Sequence, residues 1–428
     1  LLRLIVFREA RPIIHTTQTK QTNYLKIVFI LSIPYVAMSL SHNGFLGLLP
    51  FIHEEFVLTR TQVGYYSTFF FLSSTVLAVF SGNIVDRVGP KIGLIFGVTC
   101  MGLISFCYGL SPTYTILLML APIAGVGQSI INPSVNKGII IGIPPGKHAV
   151  SIGISQSGLG VGGLAGASLL PFFGEIFGWR LTIQVAGVFV LLAGFLVYKF
   201  YHQHSENNEI EGDQGDREKQ LPSFKENLIY FFRMKQILFM CFLGVILAGS
   251  SVGAVLSHFA VYLSSDLNMS RAAAGVGLGI FQIGGIIGRP IWGWISDRFL
   301  LGNKEKAISL LGLSAGFIYL IPGIFFNSPQ LNLVAVYLFS FFLGFSVFGW
   351  GGLYFAAIAE FAGLERAGSA IGFSLLFNRI GILIAPPIFG LIADLRGNYN
   401  YSWLFFGAVI IFISGLYYLS SLKVEQHN

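Results

Sequence analysis

Charge is what this chain lacks. Only 11% of its 428 residues are Asp, Glu, Lys or Arg, against roughly 25% in soluble domains. A water-facing globular surface is thereby excluded. Acidic residues number 19, and none sits at the centre of an apolar segment. Glu54, Glu55, Glu175, Asp266 and Asp394 fall at segment ends or in the separators on one side, and Glu360 falls at an end on the other. Cysteine is almost absent. Cys100, Cys107 and Cys241 lie inside apolar segments without metal-ligand spacing, so neither a disulfide framework nor a zinc site is indicated. There is no His-Glu-x-x-His and no Gly-x-Ser-x-Gly, which argues against the common hydrolases. No enzyme, cofactor or metal is expected.

Apolar residues fill the space that charge leaves. They make up 54% of the chain, and the mean hydropathy is +0.73. Runs of about 20 apolar residues, the length that spans a bilayer as a helix, fall near 25–48, 62–81, 92–110, 113–136, 149–170, 180–201, 236–262, 272–294, 305–326, 331–357, 368–391 and 399–421. Backbone polar groups in lipid must be satisfied internally, so these runs are expected as helices. The alternating ten-residue pattern of a membrane barrel is missing. The expected fold is an all-α membrane protein with twelve transmembrane helices in two pseudosymmetric six-helix bundles. Residues 1–24 read as a cytoplasmic tail, 25–201 as the first bundle, 202–235 as a cytoplasmic linker, 236–421 as the second bundle and 422–428 as a second cytoplasmic tail. The stretch 202–226, with Glu206, Glu209, Glu211, Asp213, Asp216, Arg217 and Glu218, cannot bury enough apolar surface to fold alone.

The basic residues give an orientation. With the N-terminus inside, 20 of the 26 Lys and Arg lie in cytoplasmic segments, and Arg60, Arg180, Arg271 and Arg396 lie outside. That bias is the positive-inside pattern, and it puts both termini in the cytoplasm of a multi-pass protein of the cell (inner or plasma) membrane. The net charge of +7 is dispersed over many separators, so no nucleic-acid partner is expected. The two basic residues left over, Arg289 and Arg379, lie within apolar segments.

One polar pattern occurs twice. Gly82-Asn-Ile-Val-Asp86-Arg87-Val-Gly89-Pro-Lys91 follows the second segment. Gly293-Trp-Ile-Ser-Asp297-Arg298, with Gly302 and Lys304, follows the eighth. The two aspartates are 211 positions apart. Ile152-Gly-Ile-Ser155 and Ile371-Gly-Phe-Ser374 are 219 apart, and Pro171-Phe-Phe-Gly174 and Pro387-Ile-Phe-Gly390 are 216 apart. Offsets near half the chain length indicate a duplicated six-helix unit. Transporters are commonly built this way, with substrate held near the midplane between the halves.

With these motifs on the page, the chain resembles the major facilitator superfamily over nearly its whole length. Gly82, Asp86, Arg87, Gly89 and Lys91 match that family's Gly-x-x-x-Asp-Arg-x-Gly-x-Lys signature, with Pro90 where a basic residue is usual. Gly293, Asp297 and Arg298 match it a second time. The resemblance implies a gating role for these eight residues, read here as loops that hold the cytoplasmic side closed. It also implies a transporter working by alternating access. Ser257 to Tyr262, then Gly288-Arg289-Pro290 leading into Asp297-Arg298, resemble the oxalate–formate and monocarboxylate carrier branch. There, basic residues of the eighth and eleventh helices contact carboxylate. The first helix lacks the lysine of the monocarboxylate carriers. The glycine-rich run Gly158 to Gly163 resembles that of drug antiporters but has no proline within it.

The residues themselves point the same way. An Arg at a helix centre costs about 2.5–3.5 kcal/mol on insertion scales and is usually functional. Arg379 lies 13 positions after Arg366, roughly 20 Å along a helix and near the midplane. Its repeat mate is Gly160, and that of Arg289 is Ala78. Two such cations without a membrane carboxylate suit an anionic substrate, and the planar fork of Arg suits a carboxylate. Arg289 is expected to be the shallower of the two. Asn378, Gln156, Gln282, Tyr35, Tyr354 and Trp350 are the further candidates for substrate contact, while His42 and His258 are the candidates for carrying a coupling proton. The expected function is secondary transport of a small organic anion, a carboxylate foremost, by proton symport or anion exchange. The partners are that substrate, the lipid bilayer, and protons or a counter-anion, and a monomer is expected. A carrier of a neutral solute and a non-transporting membrane sensor are the alternatives.

Overall fold

A computed structural model describes residues 14–144, 146–201, 224–326, 332–363 and 366–425. Among them it contains twelve helices long and apolar enough to cross a membrane, and no strand. These are α1 Tyr24–Glu55, α2 Arg60–Val88, α3 Pro90–Leu110, α4 Tyr114–Gly142, α5 Val150–Phe177, α6 Trp179–Phe200, α7 Lys235–Ser265, α8 Arg271–Phe299, α9 Lys304–Phe325, α10 Leu333–Ala362, α11 Ala367–Arg396 and α12 Asn400–Leu419. A short helix, Phe224–Arg233, precedes α7. Of the segments read as linker and tails, residues 202–223, 1–13 and 426–428 lie outside the described residues.

Helix ends follow local chemistry. Thr59 and Gln62 form a capping box on α2, and Ser270, 211 positions on, caps α8 through Ala273 N–H. Such side chains satisfy amides that have no partner inside the helix. The signature is helical almost throughout, which corrects its reading as a loop. Gly82, Asp86 and Arg87 lie on the last turns of α2, and Gly293, Asp297 and Arg298 on those of α8. The first copy breaks only at Gly89, whose φ of 85° suits a residue without Cβ, and the second breaks after Phe299, with Gly302 at a φ of 76°. Pro90 then opens α3 at the position where its missing N–H costs nothing. Two interruptions have no counterpart in the apolar pattern. Helix α7 passes through a π-helical segment, Gly249–Val255, and α10 breaks between Leu333–Val347 and Trp350–Ala362.

The halves meet through α2 against α11 and α5 against α8, with α1 touching α7. Close approach is possible because glycines face the other half across the joint. A Cβ at Gly64 would lie 2.6 Å from the Pro386 carbonyl carbon, one at Gly275 would lie 2.8 Å from the Ala167 carbonyl oxygen, and one at Gly160 would lie 2.6 Å from the Ile286 side chain. Pairing along α2 and α11 runs Arg60–Asp394, Gly64–Pro386, Thr68–Leu383. Along α5 and α8 it runs Pro171–Gly275, Ser168–Gly279, Gly163–Gln282, Gly160–Ile286. Both series start at the end opposite the linker and stop near mid-helix. Beyond them, a Cβ at Gly82, Gly153, Gly293 or Gly372 would meet nothing within 4 Å. A cleft between the halves therefore opens toward the linker end.

Gly64→Ala should overpack the closed joint and destabilise the protein by about 1–3 kcal/mol, read as a lower Tm of the purified protein in detergent. Gly82→Ala, with free space around it, should leave Tm unchanged or slightly raised. Equal losses would mean that the joint is not where the halves are held.

Candidate functional site

The roof of the cleft is built from side chains that bond between halves. Gln282 Nε2 donates to Asn43 Oδ1 at 2.7 Å. Asn43 in turn donates to Ser39, and Ser39 Oγ donates to Leu159 O on α5 at 2.6 Å. Ser257 Oγ donates to Ser67 Oγ at 2.6 Å, and Thr68 Oγ1 donates to Leu383 O at 2.9 Å. Gln282 is thus committed to the joint, where sequence alone placed it on the substrate.

Directly below this roof, on the linker side, stand the two membrane arginines. Arg289 is three residues past Ile286 and Arg379 four residues short of Leu383, or roughly 5 and 6 Å of helix. Seven residues return a helix to nearly the same face. Arg289 therefore shares the face of Gln282, which meets α1, and Arg379 shares that of Pro386, which meets α2. Both occupy the first turn beyond the last contact between halves. Arg289 stacks over Phe348 with 5.6 Å from guanidinium carbon to ring centre. Among the described residues, neither arginine has an acidic partner.

The other candidates are distributed around these two. Tyr35 is fully buried and packs on α5 at Gly158. Gln156, one turn from Gly160 on the same face of α5, is exposed. The Tyr354 hydroxyl and the Asn378 carboxamide both crowd Gly244 on α7. Trp350 is turned inward, its Nε1 donating to Ser251 Oγ at 3.2 Å and its ring set edgewise on Tyr354. His42 is buried with both ring nitrogens unpartnered, stacked on Phe70 at 4.2 Å between centroids.

His258 is used differently. Burial pushes the Tyr399 phenol well above its usual range, so that hydroxyl keeps its proton and donates to His258 Nδ1 at 3.0 Å. The imidazole then carries its proton on Nε2 and donates it to Pro386 O at 2.8 Å. Both nitrogens are engaged and the side chain is fully buried.

At the linker end, Asp86 pairs with Lys137 of its own half at 2.8 Å. Lys91 lies over the Tyr198 ring, while Arg87, Asp297 and Arg298 are exposed. Lys304 pairs with Glu360 at 2.6 Å. No ion pair crosses between halves at this end among the described residues. The crossing pairs lie at the opposite end, on acids that the sequence showed but to which no role was given. Their signal was available, because each acid has a mate in the other half at the repeat's own offset.

The sequence model of the Major Facilitator Superfamily matches residues 31–386. The chain is 24% identical to the hexuronate transporter of Bacillus subtilis strain 168, covering 91% of this chain and 93% of that protein. It is 23% identical to the membrane sensor protein UhpC of Salmonella typhimurium strain LT2, covering 91% and 89%. Among solved structures, a bacterial homolog of the human lysosomal transporter Spinster superposes with a TM-score of 0.74 at 15% identity, covering 94% of this chain and 97% of that one.

Replacing His258 with Phe should orphan the Pro386 carbonyl and the Tyr399 hydroxyl. About 1–3 kcal/mol is expected for a buried group so exposed, seen as a lower Tm. The pH profile of substrate uptake should stay in place. A shifted profile at unchanged stability would make His258 a proton carrier.

Proposed function

We propose, from the premise that this chain belongs to the Major Facilitator Superfamily, that it carries a small organic anion, a carboxylate foremost, by alternating access. The chain is a multi-pass membrane protein of this transporter family and not an enzyme. The observation that carries the anionic reading is the pair Arg289 and Arg379, each within about a turn of the last contact between halves and without an acid to neutralise it among the described residues. Charge left uncompensated in a membrane interior is costly, and an anionic substrate supplies what the protein omits. A bidentate guanidinium fork recognises a carboxylate by geometry as well as by charge. Similarity to a hexuronate transporter, whose named substrate is a carboxylate, supports the same class. In this reading Tyr35, Gln156, Asn378 and Tyr354 complete the substrate contacts, while Gln282 and Trp350 shape the wall.

The linker end is cytoplasmic in this proposal, following the basic residues, so the cleft faces inward. Gly82, Asp86, Arg87, Gly89, Lys91, Gly293, Asp297 and Arg298 form the gate of the other state, in which Asp86 exchanges Lys137 for a partner across the joint. Coupling is by proton symport. An inside-negative potential of 100 mV opposes uptake of a monoanion by about 2.3 kcal/mol, and a co-transported proton removes that term. His42, buried at the roof without a partner, or the substrate itself carries the proton. A non-transporting sensor is the second reading, favoured by the similarity to UhpC.

Two measurements follow. In a thermal-shift screen, specific ligands raise Tm by mass action. Carboxylates should stabilise the purified protein, Arg379→Ala and Arg289→Ala should each lose that shift, and Arg379→Lys should keep part of it. Full carboxylate stabilisation of Arg379→Ala would remove the anionic reading. In proteoliposomes without internal anion, an inward proton gradient should drive accumulation that a protonophore abolishes. Uptake only after a counter-anion is loaded would replace symport with exchange, and absence of flux under both conditions, with binding intact, would favour the sensor.

A further inference from the structure

Six charged residues at the end opposite the linker form three repeat pairs. Arg60 and Arg271 are 211 positions apart, Glu54 and Asp266 212, and Glu175 and Asp394 219. Two kinds of contact across the joint, an ion pair and a carboxylate on a helix start, each occur twice. Arg60 of the first half pairs with Asp266 of the second at 3.2 Å, and Arg271 of the second pairs with Glu54 of the first. Asp394, at the end of α11, accepts from the backbone amides of Arg60 and Thr61 at 2.8 Å each and from Thr61 Oγ1 at 2.6 Å. Glu175, at the end of α5, accepts from the amide of Ala272 at 2.7 Å. A helix start carries amides without intrahelical partners and partial positive charge. Each half therefore caps a helix of the other with a carboxylate.

The two copies are unequal. In the first, the Asp266 side chain is 8% exposed and that of Arg60 22%. Asp266 is also held by Tyr399 N–H at 2.7 Å and Ser265 Oγ at 2.9 Å, while both arginines lie over a ring, Arg60 over Tyr399 and Arg271 over Phe51. In the second copy, Arg271 is 37% exposed and Glu54 65%, and Glu175 makes one bond to a helix start where Asp394 makes three. Charged hydrogen bonds weaken in water, so the second copy holds less. Beside it the halves already part around a cavity of about 650 Å³ lined by His53, Glu54, Glu175, Ser270 and Arg271.

We propose that the Asp394 copy is the latch of this end, and that opening starts on the Glu175 side, along α5 and α8, with α2 and α11 parting last. Arg60, Thr61 and Asp394 then set how often the end opens, whereas Glu54, Glu175 and Arg271 set little.

The test uses full-length protein with Cys100, Cys107 and Cys241 replaced and one reporter, Ser67→Cys, buried in the roof against Ser257. A membrane-impermeant maleimide is applied from the side opposite the linker. Asp394→Asn should speed labelling about tenfold or more, as expected for loss of charged hydrogen bonds. Glu175→Gln should speed it less than about threefold, and Asp394→Glu should restore part of the protection. Thr61→Val, which removes only the hydroxyl bond, should fall between, and it carries the test if Asp394→Asn fails to purify as a folded protein. Equal acceleration by the Asp394 and Glu175 changes, or a larger effect of Glu175→Gln, overturns the proposal. So does unchanged labelling in Asp394→Asn, or in Thr61→Val where that variant carries the test.

Discussion

A guanidinium cannot shed its charge inside a membrane, so the structure around it has to accommodate that charge. Arg289 and Arg379 meet this constraint without a carboxylate. Both stand at the head of a cleft, both come from the second half, and their repeat mates are Ala78 and Gly160. The duplication has thus been broken in one direction only, with charge in the second half and small residues at the matching positions of the first. Phe348 gives Arg289 an aromatic face, which offsets part of the burial but leaves the net charge. In the proposed function, a mobile anion entering the cleft completes the balance.

The two ends of the molecule differ: one is closed and the other open. At the end opposite the linker, glycines let α2 meet α11 and α5 meet α8 at backbone distance, and crossed carboxylate caps tie the helix starts together. At the linker end, the corresponding glycines face open space, and Asp86 and Glu360 are paired within their own halves. In the proposed alternating access, rocking of one half on the other exchanges these conditions. Such a motion is consistent with cores that pack within each half, as α3 does with α4 and α6, and α9 with α12.

Much of this was legible in the sequence, for identifiable reasons. Span number and position follow from the length of apolar runs, because lipid leaves the backbone no alternative to a helix. Arg379 stood out because charge is so rare here. Other features were hidden by the same rules. The signature reads as a loop because Gly, Asn, Asp and Arg cluster in it, yet a helix that has reached the interface tolerates polar residues, and in the first copy only Gly89 needs a left-handed φ. The π-helical turn of α7 and the break in α10 leave the apolar content unchanged, so hydropathy is blind to them. His258 and Gln282 read as candidate site residues in the sequence, and their partners, Tyr399, Pro386 and Asn43, are out of reach of any local pattern at 141, 128 and 239 positions away. The carboxylates of the latch were visible as helix-end acids, but their role depends on which helix start lies opposite, and that is a property of the assembled halves.

Charge complementarity in the cleft is the central claim, and an isosteric pair isolates it. Glucuronate and glucose differ essentially by a carboxylate in place of a hydroxymethyl group. Titration calorimetry of the purified protein should register saturable binding of glucuronate, or of another carboxylate that outcompetes its neutral twin, weakening steeply as salt screens the site. Binding of the neutral member alone, or equal binding of both with no dependence on salt, would contradict the account.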